Sequence, residues 1–248
     1  MTDGRQFPEG SRVNNLELTG VHLHGVELEG ARLTDANFRN AQISGEIDGL
    51  RINDVEVDLL VQSELDRRFP ERLFLRSADL ADLRQGWLLL EGFWSATTER
   101  ASRLPVGLQV RRVDGEWSFV ETLRHLIFAT DCWLSRGVEL VSRPYHSWGI
   151  PWEGVDPAWA EGLGVDVAAS PDLAAVLPVR SQRQQLVRST LEQLTEGDLA
   201  DVRSAPDEPG HPNGEHTVLQ CLHVLMNEEW QHHRYATRDL DALEDSEG

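Results

Sequence analysis

From Leu16 onward an apolar residue returns at every fifth position. The centres are Leu18, Leu23, Leu28, Leu33, Phe38 and Ile43; two positions before each stand Leu16, Val21, Val26, Ala31, Ala36 and Ala41. Neither a helix nor a flat strand keeps a period of five. The phase then slips by one, and Ile47, Ile52 and Val57 carry the spacing on. Beyond this stretch the pattern turns helical. Residues 57–69 read as a short amphipathic helix ended by Pro70. Ser77 is placed to cap a long helix over 78–104, with Leu80, Leu83, Trp87, Leu90, Trp94 and Ala101 among its apolar residues and Pro105 as its stop. Residues 106–117 form a polar connection with a turn at Asp114-Gly115. Ser118 and Glu121 make a capping box that opens a helix to about Leu140. Apolar side chains nearly encircle that helix, which predicts deep packing. The next helical region covers 170–194, with Pro178 expected to break or restart it. Thr217 and Gln220 form another capping box, and open a last helix to about Leu243. The tail 244–248 is expected to be disordered.

On the last helix, a step of about 100° per residue puts Val218, Leu222, Leu225, Met226, Ala236 and Leu240 on one side. Glu229 and His233 fall in the middle of that side, whereas Glu228, Gln231, Arg234 and Arg238 point elsewhere. A carboxylate and an imidazole one turn apart share a face. Inside an apolar stripe they need partners. The spacing suits two ligands of one metal ion, and equally a Glu–His hydrogen bond that fills a core gap. His232 sits at the edge of the stripe and competes with His233. On the earlier helix the wheel sets His125 beside Ala129 and Cys132, so periodicity alone does not turn it toward Glu229 and His233.

Two long connections separate the helices. Residues 143–169 are rich in Trp, Gly and Pro, and contain Tyr145, His146, Trp148 and Trp152. A loop of this length in a compact domain is usually functional or mobile; its aromatics either wall a pocket or pin the loop to the surface. Residues 204–215 are rich in Pro, Gly and Asp, and contain His211. His24, with His22 beside it in the repeats, is at a position that should face outward.

Composition narrows the picture. The 248 residues carry a formal net charge of −19, and every basic residue is Arg. That balance argues against a nucleic-acid backbone as partner. There is no apolar run long enough for a membrane span and no signal pattern, so a cytoplasmic protein is the expectation. Cys132 and Cys221 lie far apart in apolar helical sequence; they read as reduced core residues, not as a disulfide or a CxxC site.

The repeats, with A-(N/D/R)-(L/F)-x-x at residues 31–40, resemble the pentapeptide-repeat family. That resemblance implies a short right-handed quadrilateral β-solenoid with the central residues facing inward. It would have about two coils and dock on the helical part of the chain. Thr122-Leu123-Arg124-His125-Leu126 and Glu229-Trp230-Gln231-His232-His233-Arg234 resemble the HL and HxxxHR motifs of the DinB-like superfamily of metal-binding four-helix bundles. The expected architecture is therefore mainly α with a small β part. Residues 1–58 form the solenoid segment, and residues 59–248 an up-down four-helix bundle.

The family's three ligands carry over onto His125, Glu229 and His233, with His232 as the alternative. Glu229 departs from the usual middle histidine. Two imidazoles and a carboxylate suit Zn²⁺, with Fe or Ni as other candidates. By the same resemblance the protein is expected to use a low-molecular-weight thiol, such as mycothiol or bacillithiol, as co-substrate, with the metal favouring its thiolate. A small electrophile would sit against Tyr145, His146, Trp148, Trp152 and Tyr235. The alternative is a metal- or small-molecule-binding protein without turnover. A small-molecule substrate, no nucleic acid, no membrane and a possible homodimer complete the expectations.

Overall fold

The computed structural model describes residues 7–21, 23 and 25–246; His22 and His24 lie outside the described residues. The chain forms two compact units, residues 1–48 and 49–248. The sequence pattern sets this boundary ten residues later, at 58/59.

In the first unit, a left-handed backbone recurs every five residues, at Gly10, Asn15, Gly20, Gly25, Gly30, Asp35, Asn40 and Gly45. The residue types there follow from this, since only Gly, Asn and Asp enter that region cheaply. Tight turns close every tenth residue, with the amides of Ser11, Val21, Ala31 and Ala41 donating to the carbonyls of Pro8, Leu18, Leu28 and Phe38. The period of five is thus a backbone period. The inward-facing core expected of a solenoid is not seen. The Leu, Val, Ile and Phe residues from Leu16 to Ile43 are 45–65% exposed, and no strand is assigned among the described residues of this unit.

The second unit opens with a hairpin, β1 (Arg51–Ile52) and β2 (Val55–Glu56). Its α-helices, eight among the described residues, are α1 (Asp58–Arg68), α2 (Arg72–Leu75), α3 (Leu80–Ser102), α4 (Val106–Gln109), α5 (Phe119–Thr130), α6 (Pro157–Gly162), α7 (Leu173–Gln193) and α8 (Val218–Asp245). A second hairpin, β3 (Val202–Ser204) with β4 (Glu215–Thr217), brackets the 205–214 loop. None of these helices is long and apolar enough to cross a membrane.

The long helices α3, α5, α7 and α8 pack on one another, α5 against α7 and α8, and α3 against α8 and α7. One core cluster gathers Leu83, Trp87, Leu90, Val187, Leu222, Leu225 and Trp230; another gathers Trp94, Leu123, Ile127, Val176 and Leu240. Both capping boxes form as expected, Ser118 with Glu121 and Thr217 with Gln220.

Four details depart from the sequence reading. The cap of α3 is Asp79, whose carboxylate accepts from the amides of Ala81 and Asp82, while Ser77 Oγ accepts from the amide of Asp79. Pro178 does not interrupt α7, which runs unbroken on either side of it. The helix from Ser118 ends in a π segment, Asp131–Arg136, rather than running on to Leu140. Finally, α8 continues through Asp245, into the stretch expected to be disordered.

Candidate metal centre

Helix α8 carries two doublets, Glu228-Glu229 and His232-His233. Each Glu–His pair is one turn apart, and the two pairs point about 100° away from one another. The structure brings the first pair, not the second, to His125. Glu228 Oε2 lies 3.1 Å from His125 Nε2 and 3.2 Å from His232 Nε2. The three side chains offer ligand atoms that all lie within 4.8 Å of one another, the arrangement of a possible metal-binding triad.

Glu229 and His233, the pair at the middle of the apolar stripe, are engaged elsewhere. Glu229 is fully buried and accepts from Arg180 Nη2 on α7 through both carboxylate oxygens. His233 Nε2 bonds Thr97 Oγ1 on α3 at 2.8 Å, and its ring stacks on Phe93. The apolar stripe correctly marks the face of α8 that enters the core. The triad lies one residue around from the middle of that face, where α8 meets α5. Glu228, which the wheel points elsewhere, is its carboxylate, and His232, the alternative, is its second imidazole. The sequence signal for Glu228 is the same (i, i+4) spacing to His232 that links Glu229 to His233.

Hydrogen bonding decides how His125 can act. Its Nδ1 lies 3.0 Å from the carbonyl of Ile150. A carbonyl only accepts, so Nδ1 carries a proton and Nε2 is the ring atom turned toward Glu228. Nε2 lies 3.1 Å from Glu228 Oε2, a separation that a shared proton or a shared cation would bridge. Burial pushes the Glu228 carboxyl up, but the hydrogen bonds and charges of His125 and His232 outweigh it and hold it well below the usual carboxylate range. Burial pulls the His232 imidazole down, against the hydrogen bond it makes to Glu228. The ionised Glu228 carboxylate is the state a divalent ion requires of it, and an ion that displaced the imidazole protons facing it would take their place. The donor set fits Zn²⁺ with an open position, or another borderline divalent ion.

Aromatic rings cover the triad. Trp117 lies 4.7 Å from the His125 ring and stacks on His232 at 5.9 Å, and Tyr235 meets His232 edge-on at 6.0 Å. In sequence Trp117 reads only as the end of a polar connection. Its place follows from its position next to Ser118, which caps α5.

Two buried arginines on the α5 and π segments hold the long loops. Arg124 donates to the carbonyls of Trp148, Asp166 and Ala169. Arg136 donates to those of Ser142, Pro206, Glu208 and Pro212. Asp131 adds a third anchor, accepting from the amide of His146 and from Arg183. Of the expected pocket residues, Tyr145 stacks on Phe128; its hydroxyl donates to the carbonyl of His211 and accepts from the amide of the same residue. His146 and Trp148 contact each other at the Asp131 end. Trp152 is exposed and packs on Trp159 and His211. Only Tyr235 touches a triad side chain among the ring contacts of these five. Both cysteines are free and buried, as expected.

Among known families, the model described as the DinB superfamily matches residues 89–236, more than half of the chain, and a model of pentapeptide repeats matches residues 15–45. No curated protein and no solved structure matches the chain.

Proposed function

Since this chain belongs to the DinB superfamily, we propose that it is a metal-dependent enzyme of small-molecule thiol chemistry, built on an up-down bundle of α3, α5, α7 and α8. His125, Glu228 and His232 would hold one divalent ion, with zinc the first candidate and Fe or Ni the others. The observation that carries this reading is the His125 geometry. The Ile150 carbonyl engages Nδ1, which leaves Nε2 as the atom that would bind an ion, 3.1 Å from the Glu228 carboxylate.

When bound, the ion supplies a Lewis acid that favours the thiolate of a low-molecular-weight thiol at neutral pH. The chain's own residues do the rest. Glu228 offsets part of the positive charge. Trp117 and Tyr235 limit water at the imidazoles. Arg124 holds the 143–169 loop, whose aromatics, Trp152 among them, would receive a small electrophile. The family's chemistry suggests the thiol. A protein that binds metal or a small molecule without turnover is the second reading, favoured by the close cover of Trp117 over both imidazoles. For the repeat unit, the family resemblance supports a solenoid that is completed only when its apolar row is covered.

The test is metal content by mass spectrometry of untagged protein, wild type beside His125→Ala, His232→Ala and His233→Ala. About one ion per chain is expected in the wild type and in His233→Ala, and none in the other two. Metal retained by His232→Ala and lost by His233→Ala would overturn the ligand assignment. Loaded protein that turns over a thiol with model electrophiles supports the enzyme; loaded protein that only retains its ligand supports the binder.

A further inference from the structure

The two doublets of α8 pose a problem of choice. Glu228/His232 and Glu229/His233 have identical spacing, so either pair can offer a carboxylate and an imidazole to a facing helix. A turn of α8 about its axis by one residue position would exchange them. Something must fix which pair meets His125, and the apolar stripe does so only loosely, because hydrophobic contact is non-directional.

The most directional contact on the buried face of α8 is the one Glu229 makes. Arg180 reaches it from α7 with a single terminal nitrogen shared between both carboxylate oxygens, 2.5 Å from Oε1. Both side chains are almost completely buried, Arg180 at 3% and Glu229 at 0% exposure. Arg180 Nε and Nη1 have no hydrogen-bond partner among the described residues, so Glu229 is the one ion-pair partner of this guanidinium among them. Its Cζ lies 6.0 Å from the Trp94 ring. A pair assembled this way is poor as a source of stability, since two charges are desolvated and two donors left over. It is strong as a constraint, because any rotation of α8 that separates the pair strands two buried charges. Thr97 with His233 adds a second polar contact on the same side.

We infer that Arg180 and Glu229 are positioning residues for the metal centre: the buried pair locks the rotation of α8 so that Glu228 and His232, not their neighbours, face His125. The inference rests on the metal reading above for its functional meaning, but the lock itself can be tested without metal.

The variant Arg180→Met/Glu229→Leu replaces the pair by apolar side chains of similar bulk, a change that buried ion pairs commonly tolerate. Rotation is read by placing cysteines at 125 and 232, or at 125 and 233, and adding a short fluorogenic reagent that must alkylate two thiols at once. In the parent background the 125/232 pair should label and the 125/233 pair should not. In the apolar background the 125/233 signal should rise at the expense of the other. An unchanged ratio overturns the lock. Zinc affinity, measured by competition with a chromophoric chelator, is the second readout. It should fall about 10- to 100-fold in the folded apolar variant, as expected when groups that orient ligands are lost, and several-fold in Glu229→Gln, which keeps the side-chain shape. Full zinc affinity in both variants also overturns the lock. A parent protein that binds no zinc but still shows the labelling switch refutes the metal reading and leaves the lock standing.

Discussion

Arg136 offers the sharpest test of how the 205–214 loop is held. Its guanidinium is fully buried and donates four hydrogen bonds to carbonyl oxygens, 3.1 Å to Pro212, 2.8 Å to Ser142, 2.8 Å to Pro206 and 2.6 Å to Glu208. Three of the four acceptors lie in the 205–214 loop, which is otherwise pinned by the β3–β4 pairing below it and the amide of Ala205 donating to Gly214. Hydrogen bonds to a charged donor contribute about 1.5–3 kcal/mol each, so a plain sum gives roughly 6–12 kcal/mol. Two effects cut that figure. Replacing Arg136 by Met returns the cost of burying a cation, several kcal/mol, and the freed carbonyls can regain water once the loop moves. Arg136→Met should therefore destabilise by about 3 kcal/mol, a large share of the 5–15 kcal/mol typical of a whole domain. Urea unfolding measures the loss, and limited proteolysis should show new cleavage confined to residues 205–214. A loss below about 1 kcal/mol, with the cleavage pattern unchanged, would refute the view that this guanidinium organises the loop.

Three further outcomes are expected. Gly210→Ala puts a Cβ 2.7 Å from Arg136 Cζ and against the Tyr145 hydroxyl, so it should cost about 1–3 kcal/mol by urea unfolding; a neutral result would mean that the loop does not seat on Arg136. Burial pulls the imidazoles of His146 and His211 below their ordinary value of 6.5. The unfolded chain then binds more protons on the acid side, so the melting temperature of metal-free protein should be highest above about pH 6.5 and fall as pH drops toward 5, with a shallower slope in His211→Asn; a flat profile would contradict this. Trp117 lies against both triad imidazoles, so a quenching ion such as Ni²⁺ should dim the wild-type tryptophan emission more than that of Trp117→Phe, and equal quenching would place the ion elsewhere.

The helical part of the fold is legible in the sequence because its signals are local. Capping boxes at Ser118 and Thr217 and the stops at Pro70 and Pro105 are written in neighbouring residues, and the helices start or end within a few positions of them. His125 is legible as a candidate because the Leu-Arg-His-Leu surroundings carry a family likeness. The other two proposed ligands are not resolved by sequence, for a physical reason. A helical wheel ranks residues by depth in the core, and Glu229 is deeper than Glu228. A metal ligand, however, must lie where two helices meet a solvent-reachable edge, and depth does not encode that. The missing information is Arg180, a cation far away in sequence whose burial demands a carboxylate and so removes Glu229 from the choice. The repeats show the converse. Their period is plain, but it reports left-handed residues at Gly20, Gly30 and Asn40, and a backbone period does not say whether the side chains it spaces will find a core.

The π segment at Asp131–Arg136 has a consequence for how such a chain tolerates change in length. The amide of Gly137 reaches back five residues to the carbonyl of Cys132, so the segment holds one residue more than an α turn would. It works as a built-in insertion that sets the azimuth of everything after it. His125, before the segment, looks toward α8, and Arg136, its last residue, looks into the 205–214 loop. Deleting one residue here would restore a regular helix without touching any ligand, yet it would swing Arg136 by about 100° and release the loop. A single-codon loss in this turn would thus free the 205–214 loop while leaving every residue of α8 in place.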